Sequence, residues 1–222
     1  EVAQDIVNHL DMESIDKVEI AGPGFINFFM KNDSLQAIIS KIADQGDNYG
    51  KGEAKNFKIN VEFVSANPTG ELHVGHARGA AIGDSICRIL SFAGYQVTRE
   101  YYINDAGSQI LHLAESIQAR YKKQLGLDAE MPKDGYFGED IKNIATQIIK
   151  EIGDKALTME DPISYFKTRG MELELDQIKE DLKEFGIVFD VFSSELKVRS
   201  NGAIEYELEF LKPHIYQDGE AL

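Results

Sequence analysis

Apolar and polar positions alternate or recur in a way that divides the chain into distinct segments. Short apolar runs at 18–20 and 25–30 flank the turn sequence Ala21-Gly22-Pro23-Gly24, which predicts two short strands joined at a turn. Apolar residues then recur at helical spacing over 35–43, directly after residues that can cap a helix. The polar, glycine-containing stretch 44–56 predicts a linker and a domain boundary.

The next segment has the pattern of a strand, a helix and a second strand. Residues 57–64 alternate and are rich in β-branched side chains, which predicts a strand that ends at the Pro/Gly loop 65–70. A helix is predicted over 75–93, with Gly94 as its terminator, and a second strand over 96–103. One such βαβ unit predicts a parallel sheet with a right-handed crossover, so the fold class is α/β.

Beyond residue 104 the pattern becomes helical. Helices are predicted over 108–125, 139–152, 164–185 and 200–211. No third strand with βαβ spacing is predicted, and 186–189 and 214–222 are at best short strands. The acidic run Glu172–Glu184 is interpreted as a solvated helix face.

The charge of the chain is strongly negative but unevenly distributed. The formal net charge of the 222 residues is −15, with −6 over 1–50, +1 over 51–100, −1 over 101–150 and −9 over 151–222. Acidity of this kind argues against strong nucleic-acid binding by this chain, because phosphate binding depends on Lys and Arg. The central segment is close to neutral, so its charge does not argue against binding of an anionic ligand.

The single cysteine and the longest apolar stretch indicate the redox compartment of the protein and whether it spans a membrane. Cys87 alone excludes an intrachain disulfide and a metal site built from thiolates, which fits a reducing compartment and predicts a cytoplasmic protein. The longest apolar candidate, 77–95, is interrupted by charged residues, so no membrane span is predicted.

Candidate chemistry lies between the first strand of the βαβ unit and its helix. In parallel sheets this junction binds ligands, and the unpaired N–H groups at a helix start suit phosphate. His73 and His76 both fall there, and Gly75 between them allows a nucleotide to approach the backbone. Imidazolium N–H groups would stabilise charge that develops on a triphosphate. No other glycine-rich phosphate loop is present in the sequence.

Three stretches together resemble one family. The sequence 61–78 (VEFVSANPTGELHVGHAR) closely resembles the HIGH signature region of class I arginyl-tRNA synthetases. The sequence 101–110 (YYINDAGSQI) is similar to the next block of that family, and 21–27 (AGPGFIN) is similar to the end of its N-terminal additional domain. The resemblance implies a class I Rossmann-like parallel sheet, of which this chain holds the first half with a helical insertion at about 111–222. Residues 1–50 would be the C-terminal part of a small α+β domain, and 51–222 the catalytic part.

The resemblance also implies a reaction and its residues. Arginine would be activated with ATP and Mg²⁺ to arginyl-adenylate, and the arginyl group would pass to the 3′ end of tRNA. His73, Gly75 and His76 would bind ATP, with the two histidines as catalytic residues. Glu62, Ser65 and Asn67 would help to hold L-arginine.

That set of arginine-binding residues fits the chemistry of the substrate. Arginine carries a guanidinium, an ammonium and a carboxylate, so its pocket needs a carboxylate acceptor and a group that both donates and accepts. Glu62 and Asn67 are groups of these kinds. Which residue meets which end of arginine stays open.

Two parts expected of this family have no counterpart in the sequence. Neither a lysine-rich KMSK-type loop nor an anticodon-binding domain is recognisable, so the chain is interpreted as a fragment whose tRNA binding is weak or absent and which is inactive alone. The strand at 57–64 is expected to have one bare edge. Asp105 and Gln109 either line the same cleft or belong to a turn that caps a helix.

Two other functions are compatible with the His-x-Gly-His pattern. A nucleotidyltransferase uses a similar motif on a similar sheet for adenylyl transfer, although the Asn-Pro-Thr-Gly lead-in and the long helical continuation argue against it. A synthetase-like binding module without catalysis is the non-enzymatic alternative.

Overall fold

The first of two compact units is a hairpin with a helix on either side of it in the chain. The computed structural model describes residues 1–216, and its contacts divide the chain between Glu53 and Ala54. The elements of the first unit are α1 (Val2–Asn8), β1 (Ile15–Ala21), β2 (Phe25–Met30), α2 (Asn32–Gln45) and a 3₁₀ turn (Gly46–Asn48). β1 and β2 pair antiparallel, so the hairpin prediction is confirmed, whereas α1 was not predicted.

The second unit contains a three-stranded parallel sheet. Its strands are β3 (Lys58–Glu62), β4 (Gln96–Ile103) and β5 (Val191–Ser194), in the order β3-β4-β5, and α3 (Val74–Phe92) connects the first two. β3 pairs with β4 in parallel register from Lys58 opposite Gln96 to Glu62 opposite Glu100. The predicted βαβ unit is therefore confirmed, and β3 has no partner on its other side among residues 1–216.

The third strand begins later in the chain than the sequence predicts. β5 pairs in parallel with β4 but follows it only after a helical segment, so the spacing of an ordinary βαβ unit does not reveal it. The predicted short strand at 186–189 is wrong, because the strand begins at Val191. Ile187 and Phe189 are buried in the core without strand pairing.

Five helices occupy most of the rest of the second unit as far as residue 216. They are α4 (Ser108–Gln124), α5 (Glu139–Ile152), α6 (Pro162–Glu184), α7 (Glu195–Ser200) and α8 (Ala203–Leu211), with 3₁₀ turns at Lys155–Thr158 and Lys212–His214. The single helix predicted over 200–211 is wrong at its start, because Gly202 has a φ of 80° and separates α7 from α8. The short strand proposed at 214–222 begins in the last 3₁₀ turn, and 217–222 lie outside the described residues. No helix among residues 1–216 has the length and apolar character needed to cross a bilayer.

Two apolar clusters form the core of the second unit, and α6 contributes to both. One cluster lies between the sheet, α3 and α6, and includes Tyr101, Ile178 and Leu182. The other lies among α4, α5 and α6, and includes Phe166. The prediction that the acidic run on α6 is a solvated face is wrong at Glu174, which is only 2% exposed.

Close packing of α3 on the sheet depends on a glycine. Gly83 is buried on α3, and a Cβ atom there would lie 2.3 Å from Cγ and Cδ2 of the Phe63 ring. The helix can approach the end of β3 this closely only because that position has no side chain.

Replacing Gly83 with alanine is expected to destabilise the chain by about 1–3 kcal/mol, because the added methyl group overpacks the contact with Phe63. Gly79→Ala on the same helix is the control, since a Cβ there meets nothing within 4 Å. That control is expected to be neutral or stabilising by up to about 1 kcal/mol. Denaturant unfolding of both variants measures the difference, and equal stabilities would contradict the packing argument.

Candidate active site

The loop after β3 begins with two residues whose backbone is left-handed. Val64 and Ser65 have φ angles of 66° and 41°, in a region that residues with side chains seldom adopt. The amide of Ser65 donates to the carbonyl of Phe63 over 2.9 Å, which closes a tight turn. Holding each residue there costs about 1–3 kcal/mol, so the surrounding contacts must fix the turn.

Ser65 itself makes the first of these contacts. Its hydroxyl donates to the carboxylate of Glu62 and accepts a hydrogen bond of 3.0 Å from the backbone N–H of Tyr102. The side chain therefore links the end of β3 to β4 and orients Glu62. Two of the predicted arginine-binding residues thus lie side by side.

Tyr101 makes the second contact, from beneath the loop. This side chain is fully buried, and its hydroxyl donates to the carbonyl of Ala66 over 2.7 Å. Burial raises the pKa of Tyr101 to about 12, so the hydroxyl stays protonated and remains a donor. Pro68 is also fully buried, and the loop is therefore anchored at two points.

The side chain of Asn67 connects the loop to the start of α4. Its amide donates to Oε1 of Gln109 over 2.7 Å. Asp105, by contrast, is buried and accepts from the hydroxyl of Ser194 and the amide of Leu196, at 2.6 and 2.7 Å. The sequence left the roles of Asp105 and Gln109 open. Gln109 lies beside a predicted site residue, whereas Asp105 links the loop after β4 to the start of α7.

His73 and His76 cap the start of α3 reciprocally. His73 is the N-cap residue, and its Nδ1 accepts from the backbone N–H of Gly75 over 3.1 Å. Nδ1 of His76 accepts from the backbone N–H of His73 over 3.3 Å. The two rings stack with their centroids 3.8 Å apart. Histidine at these two positions thus performs the role that Ser and Glu perform in a capping box.

These hydrogen bonds determine the tautomer of each ring. A ring whose Nδ1 accepts from an N–H group is neutral and carries its proton on Nε2. Burial and the neighbouring His73 both lower the pKa of His76, which also favours the neutral form. The expectation of two imidazolium groups is therefore wrong for this arrangement, but both Nε2–H groups can still donate.

The loop and the helix start bring the predicted residues into three groups. Hydrogen bonds join Glu62 with Ser65, Asn67 with Gln109, and His73 with Gly75 and His76. In the part of the chain that the structure describes, no hydrogen bond connects the histidines to the other two groups. A cavity of about 320 Å³ adjoins His73, but Glu62, Ser65 and Asn67 do not line it.

Sequence reasoning missed the residues that hold the loop from β4. The sequence places Tyr101 and Tyr102 in a strand and in the block 101–110, with no role in the loop, yet one bonds the loop through its hydroxyl and the other through its backbone. A signal for Tyr101 was available, because a buried tyrosine hydroxyl usually needs a hydrogen-bond partner. No sequence pattern indicates the contact made by the backbone of Tyr102.

Comparison with known families shows to which family the chain belongs. A family model described as tRNA synthetases class I (R), catalytic domain, matches residues 38–202. This chain belongs to the class I arginyl-tRNA synthetases. A second model, described as arginyl tRNA synthetase N terminal domain, matches residues 1–30. The resemblance seen in the sequence is thus confirmed.

Individual members of the arginyl-tRNA synthetase family align along nearly the whole chain. The arginine–tRNA ligase of Anoxybacillus flavithermus is 52% identical over 98% of this chain and 41% of its own length. The Bacillus subtilis arginine–tRNA ligase is 48% identical over 100% of this chain and 41% of its own length. The chain therefore spans about two fifths of the length of the curated relatives it matches.

Solved structures agree with the α/β fold. A Campylobacter jejuni protein described as an arginyl-tRNA synthetase superposes with a TM-score of 0.75 and 34% identity, over 83% of this chain and 41% of that one. The Thermus thermophilus arginyl-tRNA synthetase has a TM-score of 0.64 at 21% identity, over 99% of this chain and 37% of that one. The second similarity concerns the fold alone.

Removing the Tyr101 hydroxyl is expected to weaken the support of the loop in this synthetase chain. Tyr101→Phe leaves the carbonyl of Ala66 without its buried partner, so the free energy of unfolding should fall by about 1–2 kcal/mol. Tyr206→Phe, at an exposed tyrosine of the same unit, serves as the control and should change stability by less than about 0.5 kcal/mol. Denaturant unfolding followed by circular dichroism provides the measurement. Equal stabilities of the two variants would contradict the anchoring role.

Proposed function

We propose that the complete gene product is an arginine–tRNA ligase and that this chain supplies its ATP and arginine sites. In the reaction, a carboxylate oxygen of arginine bonds to the α-phosphorus of ATP, and pyrophosphate leaves with the electrons of the broken bond. A ribose hydroxyl at the 3′ end of tRNA then attacks the arginyl carbonyl, and AMP leaves. Membership of the class I arginyl-tRNA synthetases supports this reaction.

The ATP phosphates would bind at the start of α3. The observation that carries this proposal is the reciprocal cap, which occupies Nδ1 of His73 and of His76 and leaves each Nε2–H as a donor. Backbone N–H groups and the positive end of the helix dipole add to these donors. Neutral donors of this kind stabilise charge that develops on the phosphates during adenylate formation, while Mg²⁺ enters with ATP as part of the substrate.

Gly75 has a distinct role at this helix start. A Cβ atom there would lie 2.9 Å from Cε1 and 3.1 Å from Nδ1 of His73. The missing side chain therefore allows the His73 ring to fold over the first turn and accept from the Gly75 amide. Placed in this way, the His73 ring would direct its Nε2–H group toward a phosphate at the helix start.

Arginine would be held by the residues after β3. Glu62 is an exposed carboxylate oriented by the Ser65 hydroxyl, and it can accept from a cationic group of the substrate. Asn67 and Gln109 form a pair of amides that can each donate and accept. Their side chains fit the mixed requirements of an amino acid that carries both charges.

The chain would contribute two domains to the complete protein, which would bind tRNA in the cytoplasm. Residues 1–50 would be the end of the N-terminal additional domain, and 51–222 the first half of the catalytic domain with its helical insertion. The tRNA would bind mainly through other parts of the complete protein, given the −15 charge of this chain. The free thiol of Cys87 is consistent with a cytoplasmic protein.

The activity itself is tested by arginine-dependent exchange of pyrophosphate into ATP, measured on the complete gene product with tRNA present. Lysine serves as the control substrate, because it has the same charge but lacks a guanidinium. Exchange with arginine and little with lysine is expected. Exchange that is independent of the amino acid would favour another adenylyl transferase.

Gly75→Ala in the complete gene product is expected to raise KM for ATP about tenfold or more, because the new methyl group displaces the His73 ring, whose Nε2–H group is proposed to donate to the phosphates. Gly79→Ala should leave KM for ATP within about twofold of the wild type, since its methyl group meets no other atom. Steady-state kinetics at saturating arginine gives both values. A wild-type KM in Gly75→Ala would remove Gly75 from the proposed ATP site.

Asn67→Ala is expected to lower kcat/KM for arginine by about 10- to 100-fold while KM for ATP changes little, because a hydrogen bond to a charged substrate group is lost. Asn56→Ala, at an exposed asparagine before β3, is the matched control. Aminoacylation kinetics with varied arginine makes the comparison. If both variants use arginine as well as the wild type does, Asn67 has no part in the site.

A further inference from the structure

A groove beside the segment that leads to His73 contains carboxylates from three parts of the chain. Glu71 comes from the loop before α3, Asp140 from the first turn of α5, and Glu174 from α6. The groove has a volume of about 370 Å³. Within residues 1–216, no cluster of His, Cys, Asp or Glu has the geometry of a metal site.

Glu174 differs from the other two acids because it is buried. Only 2% of it is exposed, and its Oε1 has no hydrogen-bond partner among the described residues. The other buried acids, Asp84 and Asp105, both accept hydrogen bonds. An ionised carboxylate in this position would lack the partners that buried charges need.

The surroundings favour the protonated acid at Glu174. Burial, then the charges of Asp140 and Glu71, a hydrogen bond with Asp140 and the charge of Asp181 raise its pKa to about 7. Lys150 also lines the groove, but it is not among the groups that shift the pKa of Glu174. A protonated Glu174 can donate its hydrogen to the carboxylate of Asp140, which an ionised one cannot do.

Asp140 in turn lies near the segment that carries the proposed ATP-binding histidines, and it lines the same groove as Glu71. Its Oδ2 lies 3.7 Å from the position that a Cβ atom on Gly70 would occupy. Leu72 packs against the cluster that contains Ile178 and Leu182 of α6. Further along, α6 lines the cavity that adjoins His73. The segment 70–76 therefore lies beside α6 and the start of α5, with Leu72 packed against the cluster to which α6 contributes.

We propose that Glu174 is a positioning residue for the ATP site, which acts as a carboxylic acid that donates to Asp140 and so holds the segment 70–76 in place. This role rests on the proposed function, because its purpose is to present His73 and His76 to ATP. Glu174 does not touch the reacting atoms. Its effect passes through Asp140 to Gly70 and Glu71.

The effect of Glu174 on the segment 70–76 should depend on pH. Because the folded-state pKa of Glu174 is raised, its stabilising effect is fully present below the pKa of the unfolded chain and is lost as the pH rises through about 7. Above that pH, three ionised carboxylates would repel one another in the groove. The segment 70–76 should then loosen, and ATP should bind less tightly.

The test compares the wild type with Glu174→Gln in the complete gene product. Glutamine has nearly the same shape, stays neutral at every pH and can still donate to Asp140. Between pH 6.5 and 8.5, the ratio of the wild-type KM for ATP to that of the variant should rise from about 1 to about 5. Effects of histidine or ATP titration cancel in this ratio, since both proteins share them. Glu180→Gln, at an exposed acid of the same helix, should follow the wild type.

Hydrogen exchange gives a second readout that does not depend on catalysis. Amides of 70–76 should lose protection in the wild type at pH 8.5, after correction for the intrinsic rate, and keep it in Glu174→Gln. Glu174→Ala, which cannot donate, should show low protection and a high KM for ATP at both pH values. If Glu174→Ala does not fold, the comparison with glutamine decides by itself.

The two proposals can fail separately. A KM ratio near 1 and equal protection of 70–76 at both pH values would overturn the role of Glu174. A wild-type protein without arginine-dependent activity would instead refute the proposed function, and the hydrogen-exchange comparison would still decide whether Glu174 holds the segment.

Discussion

The candidate site depends on the reversal of the chain at the end of β3. Val64 and Ser65 take left-handed backbone conformations that cost free energy, and every predicted site residue except Glu62 lies at or after this turn. The turn persists because β4 holds it from two directions, through the hydroxyl of Tyr101 and the backbone of Tyr102. The parallel pairing of the two strands is therefore a requirement of the site as well as of the fold.

Support for the second half of the site comes from the helical segment between β4 and β5. α6 is long enough to pack in both apolar clusters, and so it connects the helices α4 and α5 to the sheet. Leu72 packs against the cluster to which α6 contributes, and His73 lines a cavity together with residues of α6. Movement of α6 would therefore change the position of the proposed ATP-binding segment, even though α6 contributes no group to the proposed chemistry.

The sequence predicted those parts of the structure that local patterns determine. The strands at 25–30 and 96–103 and the helix at 139–152 have the predicted bounds, because alternation or helical periodicity is clear there. β5 escaped prediction because a four-residue strand, whose partner lies far back in the chain, has little periodicity of its own. The burial of Glu174 was not predicted, for a related reason. An acid within an acidic helix has the local pattern of a solvated face, and only packing between distant helices shows otherwise.

The same distinction applies to the site. The spacing of His73, Gly75 and His76 at a strand-to-helix junction predicts a phosphate site, because the backbone of a helix start provides N–H donors. The charge state of the histidines was not predictable from spacing, since it follows from which ring nitrogen the backbone occupies. With both rings neutral, the proposed ATP site would attract phosphate through oriented N–H dipoles. Dipoles weaken more steeply with distance and misalignment than a full charge does, so such a site would require a helix start whose position is fixed closely. The packing of Leu72 against the cluster that includes α6 residues contributes to this.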